Sequence, residues 1–135
     1  MNKEKLNEIR ARLEAATPGP WEWDVNSRFH DARLMTTHSG RYCVMCFRRW
    51  GTQGAMPVFQ IYEKYEGRLI DRNSHGMAHI DKLLKSIPDK QHHKGFDDYI
   101  DHPDADLISN APSDIKALLE YIEELEERIR RLRNE

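Results

Sequence analysis

Towards the C-terminus, apolar residues recur at Leu118, Ile122, Leu125, Ile129 and Leu132, in alternating steps of four and three. This spacing keeps one narrow helix face apolar and predicts an α-helix from Ser113 to Arg133. The stretch contains no Gly or Pro, and Pro112 stands just ahead of it. Ser113 or Asn110 can cap its start, and Asp114 suits the positive end of the helix dipole. Glu120, Glu123, Glu124, Glu126 and Glu127 come first; Arg128, Arg130, Arg131 and Arg133 follow. Glu124–Arg128, Glu126–Arg130 and Glu127–Arg131 are i,i+4 pairs in the favourable order, each worth roughly 0.2–0.5 kcal/mol. So narrow a seam must be covered by another helix. The acid-then-base order suits an antiparallel one, supplied by the N-terminal helix, a second copy of the chain, or both.

At the other end, Leu6, Ile9, Leu13 and Ala16 mark one face of a helix over 3–16, which Thr17-Pro18-Gly19-Pro20 ends. Alternation then replaces the helical period. Trp21, Trp23 and Val25 share one face of a half-buried strand. Ala32–Thr37 and Arg41–Trp50 read as a hairpin turning at His38-Ser39-Gly40. The second of these strands is apolar on both faces (Tyr42, Val44, Cys46 against Cys43, Met45, Phe47), as a central strand would be. Val58–Tyr65 is the next strand, and Gly67–Arg72 continues it with Leu69 and Ile70 inward. Ile80, Leu83, Leu84 and Ile87 predict a short helix over 77–87, ended by Pro88. Residues 88–103 are irregular and rich in Asp and His, with Phe96, Tyr99 and Ile100 as anchors. Residues 104–110 form a helical turn or two before the last helix. The order α, run of β, α describes an α+β domain: N-terminal helix, small antiparallel sheet over 21–72, short middle helix, long amphipathic C-terminal helix.

The 135 residues suit a single domain with a modest core, and a net charge of −2 gives no global attraction to nucleic acid polymers or anionic membranes. No apolar run approaches a membrane span of about 18 residues, and the N-terminus lacks a signal-peptide h-region. A cytoplasmic protein is expected.

The chemistry in the motifs is sparse. Cys43-Val-Met-Cys46 has C-x-x-C spacing but no second pair to complete a zinc site, and residues three apart on a regular strand point to opposite faces. His75 and His79 are i,i+4 but lack the H-E-x-x-H glutamate. His92, His93, Asp97, Asp98, Asp101, His102, Asp104 and Asp106 gather oxygen and nitrogen ligands of the kind metallohydrolases use, so a metal-dependent phosphodiesterase is an alternative reading. Equally, the run reads as a solvated loop. Neither a G-x-G-x-x-G nor a G-x-x-x-x-G-K-[ST] phosphate loop occurs. Two clusters suit an anionic, aromatic ligand: Phe47-Arg48-Arg49-Trp50 at a strand end, and Arg128 with Arg131 near the end of the last helix. The same residues also serve as edge protection and surface ion pairs, and the terminal helices serve equally as a protein-interaction module.

Leu13-Glu-Ala-Ala-Thr-Pro-Gly-Pro-Trp21, followed much later by Asp104-Ala-Asp-Leu-Ile-Ser-Asn-Ala-Pro-Ser-Asp-Ile115 and a helix ending in arginines, resembles the small phage proteins of the Ead-like group and the Thoeris inhibitor family. The similarity lies at the two ends of the chain, and its most specific string is Thr-Pro-Gly-Pro-Trp. It implies an oligomer that sequesters a nucleotide-derived immune messenger in the cytoplasm of an infected bacterium. That messenger is a cyclic ADP-ribose isomer made by a TIR-domain enzyme, in some members also a cyclic oligonucleotide, and it is held without cleavage. It implies a non-enzyme needing neither cofactor nor metal. Carried over residue by residue, the ligand lies between protomers against Arg128 and Arg131, with Asn110 and Tyr99 or Phe96 upstream; Arg48 and Trp21 are further candidates. Here the arginines are three residues apart where the family spaces them a full turn, Glu127 stands at one candidate position, and the upstream polar residue corresponds to Asn110 or Asp104.

Overall fold

The computed structural model describes residues 1–38, 40–50, 54–65, 68–70, 77–79, 83–86 and 98–134. Helix α1 spans Lys3–Ala15, and the Asn2 side chain caps it by accepting the Lys5 amide N–H at 2.8 Å. Ala16 is the C-cap with extended backbone, so the helix stops where the Thr-Pro-Gly-Pro string begins. The Gly19–Pro20 peptide is cis.

Five antiparallel strands follow in the order β1-β2-β3-β4-β7. They are β1 (Trp21–Asn26), β2 (Asp31–Thr36), β3 (Cys43–Trp50), β4 (Gly54–Gln60) and β7 (Met77–His79). Two short ladders stand apart: β5 (Glu63–Tyr65) with β6 (Arg68–Ile70), and β8 (Leu84–Ser86) with β9 (Asp98–Ile100). The β1–β2 turn is held by Asn26, whose Oδ1 accepts the Arg28 and Phe29 amides at 3.1 and 3.3 Å. In the β2–β3 turn Gly40 has φ +88°. A Cβ there would meet nothing within 4 Å, so its left-handed backbone, not lack of space, calls for glycine.

β3 is central, flanked by β2 and β4. Its register against β2 slips by one residue, Leu34 facing Met45 and Met35 facing Cys43. The extra residue is Val44, a bulge that reverses the alternation of faces. Among the described residues the buried apolar side chains are Ile9, Ala16, Leu34, Val44, Cys46, Val58 and Phe59. Thr36 and Asp104 are as fully buried as Val44.

Helix α2 is continuous from Pro103 to Arg133. It starts earlier than expected: His102, rather than Asn110 or Ser113, is the N-cap, and Pro112 lies inside. Pro103 falls in the first turn, where a missing N–H costs nothing. Pro112 does remove one helical hydrogen bond. The helix persists through it because the turns on either side are pinned to α1. The two helices run antiparallel: the Met1 ammonium lies 3.5 Å from Glu124, Arg12 pairs with Asp114 at 2.5 Å, and Thr17 bonds Asp104. The expected antiparallel cover of the C-terminal helix is thus supplied, in part, by α1.

Four further expectations need correction. The helix over 77–87 is not formed: 77–79 is β7 and 84–86 is β8. A 3.6-residue period over so short a stretch is weak, and β7 gives Val58–Gln60 of β4 a backbone partner on the edge away from β3. The strand over 58–65 breaks after Gln60, whose own side-chain carbonyl accepts the Tyr62 amide and turns the chain. β1 is an edge strand and far less buried than its alternation implies, with Trp23 58% and Val25 64% exposed. Near the end of α2 the expected Glu127–Arg131 pair forms at 3.3 Å, but Arg130 joins Glu127 (2.5 Å) rather than Glu126, and Glu124 turns to the Met1 ammonium.

Candidate functional site

The most fully bonded polar cluster joins the two strings that carry the resemblance. Leaving α1, the chain presents the Thr17 amide and hydroxyl side by side. Each donates at 2.6 Å to a different oxygen of Asp104, in the first turn of α2. Gln60, at the end of β4, donates through Nε2 to Thr17 Oγ1 at 2.5 Å and lies 3.5 Å from Asp104 Oδ2. His102 Nδ1 accepts the Asp104 amide at 3.1 Å, which leaves Nε2 as the donor to the Gln60 carbonyl at 2.5 Å. The imidazole also stacks on Phe59, ring centroids 5.0 Å apart. Helix, sheet and helix thus meet at one carboxylate with no accessible surface. Nothing in the local sequence marks Gln60 for this role, whereas Thr17 and Asp104 stand in the two quoted strings.

A cavity of about 400 Å³ opens beside this cluster, lined by Thr17, Gln60, Tyr62, Asp101, His102 and Asp104 among others. Two carboxylates and no Lys or Arg among the described lining residues make it a poor host for phosphate and a better one for a neutral or cationic group. Asp104 therefore acts in structure, and of the two candidate upstream polar residues Asn110 is the accessible one. Its amide donates to the Asp106 carbonyl at 2.9 Å and to Asp106 Oδ1 at 3.1 Å, leaving its own side-chain oxygen available to a ligand.

Arg128 and Arg131 share an open hollow of about 470 Å³ with Glu120, Glu123, Glu124 and Glu127. Arg131 Nε reaches Glu127 Oε1 at 3.3 Å. Asn110 lies eighteen residues before Arg128 on the same helix, about 27 Å away at 1.5 Å per residue, so one chain does not bring these groups together. Trp21 is half-buried, donates its indole N–H to the Thr17 carbonyl at 3.1 Å, and lines an apolar hollow of about 220 Å³ with Leu13 and Leu107. Arg48 and Phe47 are exposed on β3, remote in sequence from both helices. Phe96 lies outside the described residues, as do His75, His92, His93 and Asp97. Tyr99 belongs to β9 and pairs with Lys85. Among the described residues no group of three or more His, Cys, Asp and Glu is placed to hold a metal ion.

The bulge at Val44 brings Cys43 and Cys46 to the same side of β3, where their thiols hydrogen-bond. The expectation that they face apart, drawn from regular alternation, fails for that reason. Both are free. Burial first, then the neighbouring Cys46, push the Cys43 thiol from 9.0 up to about 12, with Arg33 and Arg48 pulling weakly the other way. So high a value makes a poor nucleophile near neutrality. Alkylation by iodoacetamide at about pH 8 is expected to run roughly 100-fold or more slower in the folded protein than in urea. Between pH 9 and 12 the folded state retains a proton that the unfolded state has released, so stability should fall as pH rises through that window; denaturant melts across it test the sign.

Comparison with known family models, curated proteins and solved structures yields no match.

Proposed function

We propose that the chain binds a nucleotide-derived immune messenger, a cyclic ADP-ribose isomer or a cyclic oligonucleotide, and holds it uncleaved, as a phage-encoded anti-defence protein acting in the host cytoplasm. The observation that carries this reading is the open hollow holding Arg128 and Arg131. Guanidinium groups fork onto phosphate in pairs. Four glutamates line the hollow with the two arginines and leave it formally negative, so a phosphate must displace Glu127 from Arg131 as it binds. The span of about 27 Å between Arg128 and Asn110 requires the set to close between protomers. The meeting of the Thr-Pro-Gly-Pro-Trp string with Asp104 supports the reading too, because the residues that carry the resemblance form one folded unit.

The test is to incubate purified protein with the cyclic ADP-ribose isomer, remove free ligand, heat the complex and weigh what is released. Recovery of the unchanged mass in amounts approaching the protein's is expected. Failure to retain ligand would remove the reading, and a hydrolysed product would replace it with the phosphodiesterase.

A further inference from the structure

The central strand carries a sulfur cluster that the functional reading does not use. The bulge at Val44 sets Cys43 and Cys46 on one face of β3, where their thiols hydrogen-bond. The register adds a third sulfur. Met35 of β2 stands directly opposite Cys43, so its side chain leaves the sheet on the same side. Cβ atoms of opposed residues lie about 4.5–5.5 Å apart, well within the reach of a methionine thioether. Two cations border the cluster on that face. Arg33 is two residues from Met35 and Arg48 two from Cys46, and the field of both reaches the Cys43 sulfur. Cys46 is buried, whereas Cys43 and Met35 are half-buried, which leaves one side of the cluster open to an entering ion.

Spacing decides between a disulfide and a metal. Because Cys43 faces Met35 and Met45 faces Leu34, the step from Cys43 to Cys46 covers only two strand rises, about 6.8 Å along the axis. A disulfide needs Cβ atoms about 3.5–4.5 Å apart, closer than two such positions on one strand face stand. A metal ion bridging two thiolates tolerates a wider gap, since two bonds of about 2.3 Å set the sulfurs up to about 4.6 Å apart. Structural zinc takes four ligands, and among the described residues no group of three or more His, Cys, Asp and Glu is placed to supply them. Thiolates with a thioether are instead the soft donor set that selects copper(I). We propose that Cys43 and Cys46 bind one copper(I) ion, with Met35 as the third ligand, on the β2–β3 face of the sheet. Two copper–sulfur bonds form, the two thiol protons leave to solvent, and copper stays in its monovalent state. The bis-thiolate complex carries one net negative charge. Arg48 offsets it, helped by Arg33, which also pairs with Asp31 at 3.6 Å. The site does not rest on the messenger reading, because Arg128, Arg131 and Asn110 take no part in it.

Titration of the reduced full chain with copper(I) in the absence of oxygen, against a chromogenic copper(I) chelator, should give one tightly held ion per chain. X-ray absorption of that complex should show sulfur neighbours only. Cys43→Ser should weaken binding on the order of 1,000-fold, because one of the two thiolates is lost. Met35→Leu keeps the apolar volume and removes only the thioether, and should weaken binding on the order of 10-fold. Urea melts of the metal-free variants check that each is folded. Nitrogen or oxygen neighbours around the copper, no tightly held copper in the wild type, copper held equally well by folded Cys43→Ser, or an affinity indifferent to Met35→Leu would each overturn the proposal. The absorption measurement uses the unaltered chain, so it decides even where a variant fails to fold. Copper binding by a chain that retains no messenger would leave the site standing and remove only the functional reading.

Discussion

Replacing Asp104 with alanine should cost the fold about 3–5 kcal/mol, the largest stability effect expected of any single change. The carboxylate has no accessible surface and accepts from the Thr17 amide and hydroxyl at 2.6 Å each. Removing it strands both donors in the interior, and desolvated donors without acceptors are destabilising well beyond the worth of the bonds themselves. The joint that fails is the one between the end of α1 and α2, while β4 keeps its bond to His102. Urea melts should show the midpoint falling with little change in slope. Thr17→Ser, which keeps the hydroxyl and the amide, should cost far less than Thr17→Ala. Equal losses for the two would mean that the threonine methyl, rather than the hydrogen bond, matters here.

On the proposed function, Arg128→Ala with Arg131→Ala should weaken messenger binding on the order of 100- to 10,000-fold, at roughly 1.5–3 kcal/mol for each charge-assisted hydrogen bond to phosphate. The fold should not register the change, since both side chains project into solvent and Arg131's ion pair with Glu127 is a surface one. Arg128→Lys should recover only part of the affinity, because an ammonium cannot fork. Arg48→Ala separates the two arginine clusters: calorimetry showing its effect equal to that of the double variant would move the phosphate site from the helix end to β3.

These two expectations stand at opposite ends of what is legible in the unfolded chain. Arg128 and Arg131 stand out as candidates because their chemistry is local, whereas the geometry that would complete their site is not: Asn110 proves to be about 27 Å along the same rod. Asp104 is legible only as part of a string. Its partner Thr17 is 87 residues away, and Gln60 carries no mark at all. Asp114 suits a helix dipole by its position in the sequence, yet it is buried against Arg12, and its second oxygen has no partner among the described residues.

The chain's own periodicity determined the two helices, the alternating strands between them and the antiparallel cover of the last helix. Hydrophobic period is a property of neighbours in sequence, and it survives any arrangement that buries one face. Tertiary structure decided the rest. Packing against α1 carried α2 through Pro112 back to His102. The edge of β4 drew 77–79 out of a helical pattern into a strand. One extra residue at Val44 set Cys43 beside Cys46. Each outcome was fixed by a backbone or side-chain partner far away along the chain, and bonds of that kind leave no trace in local spacing.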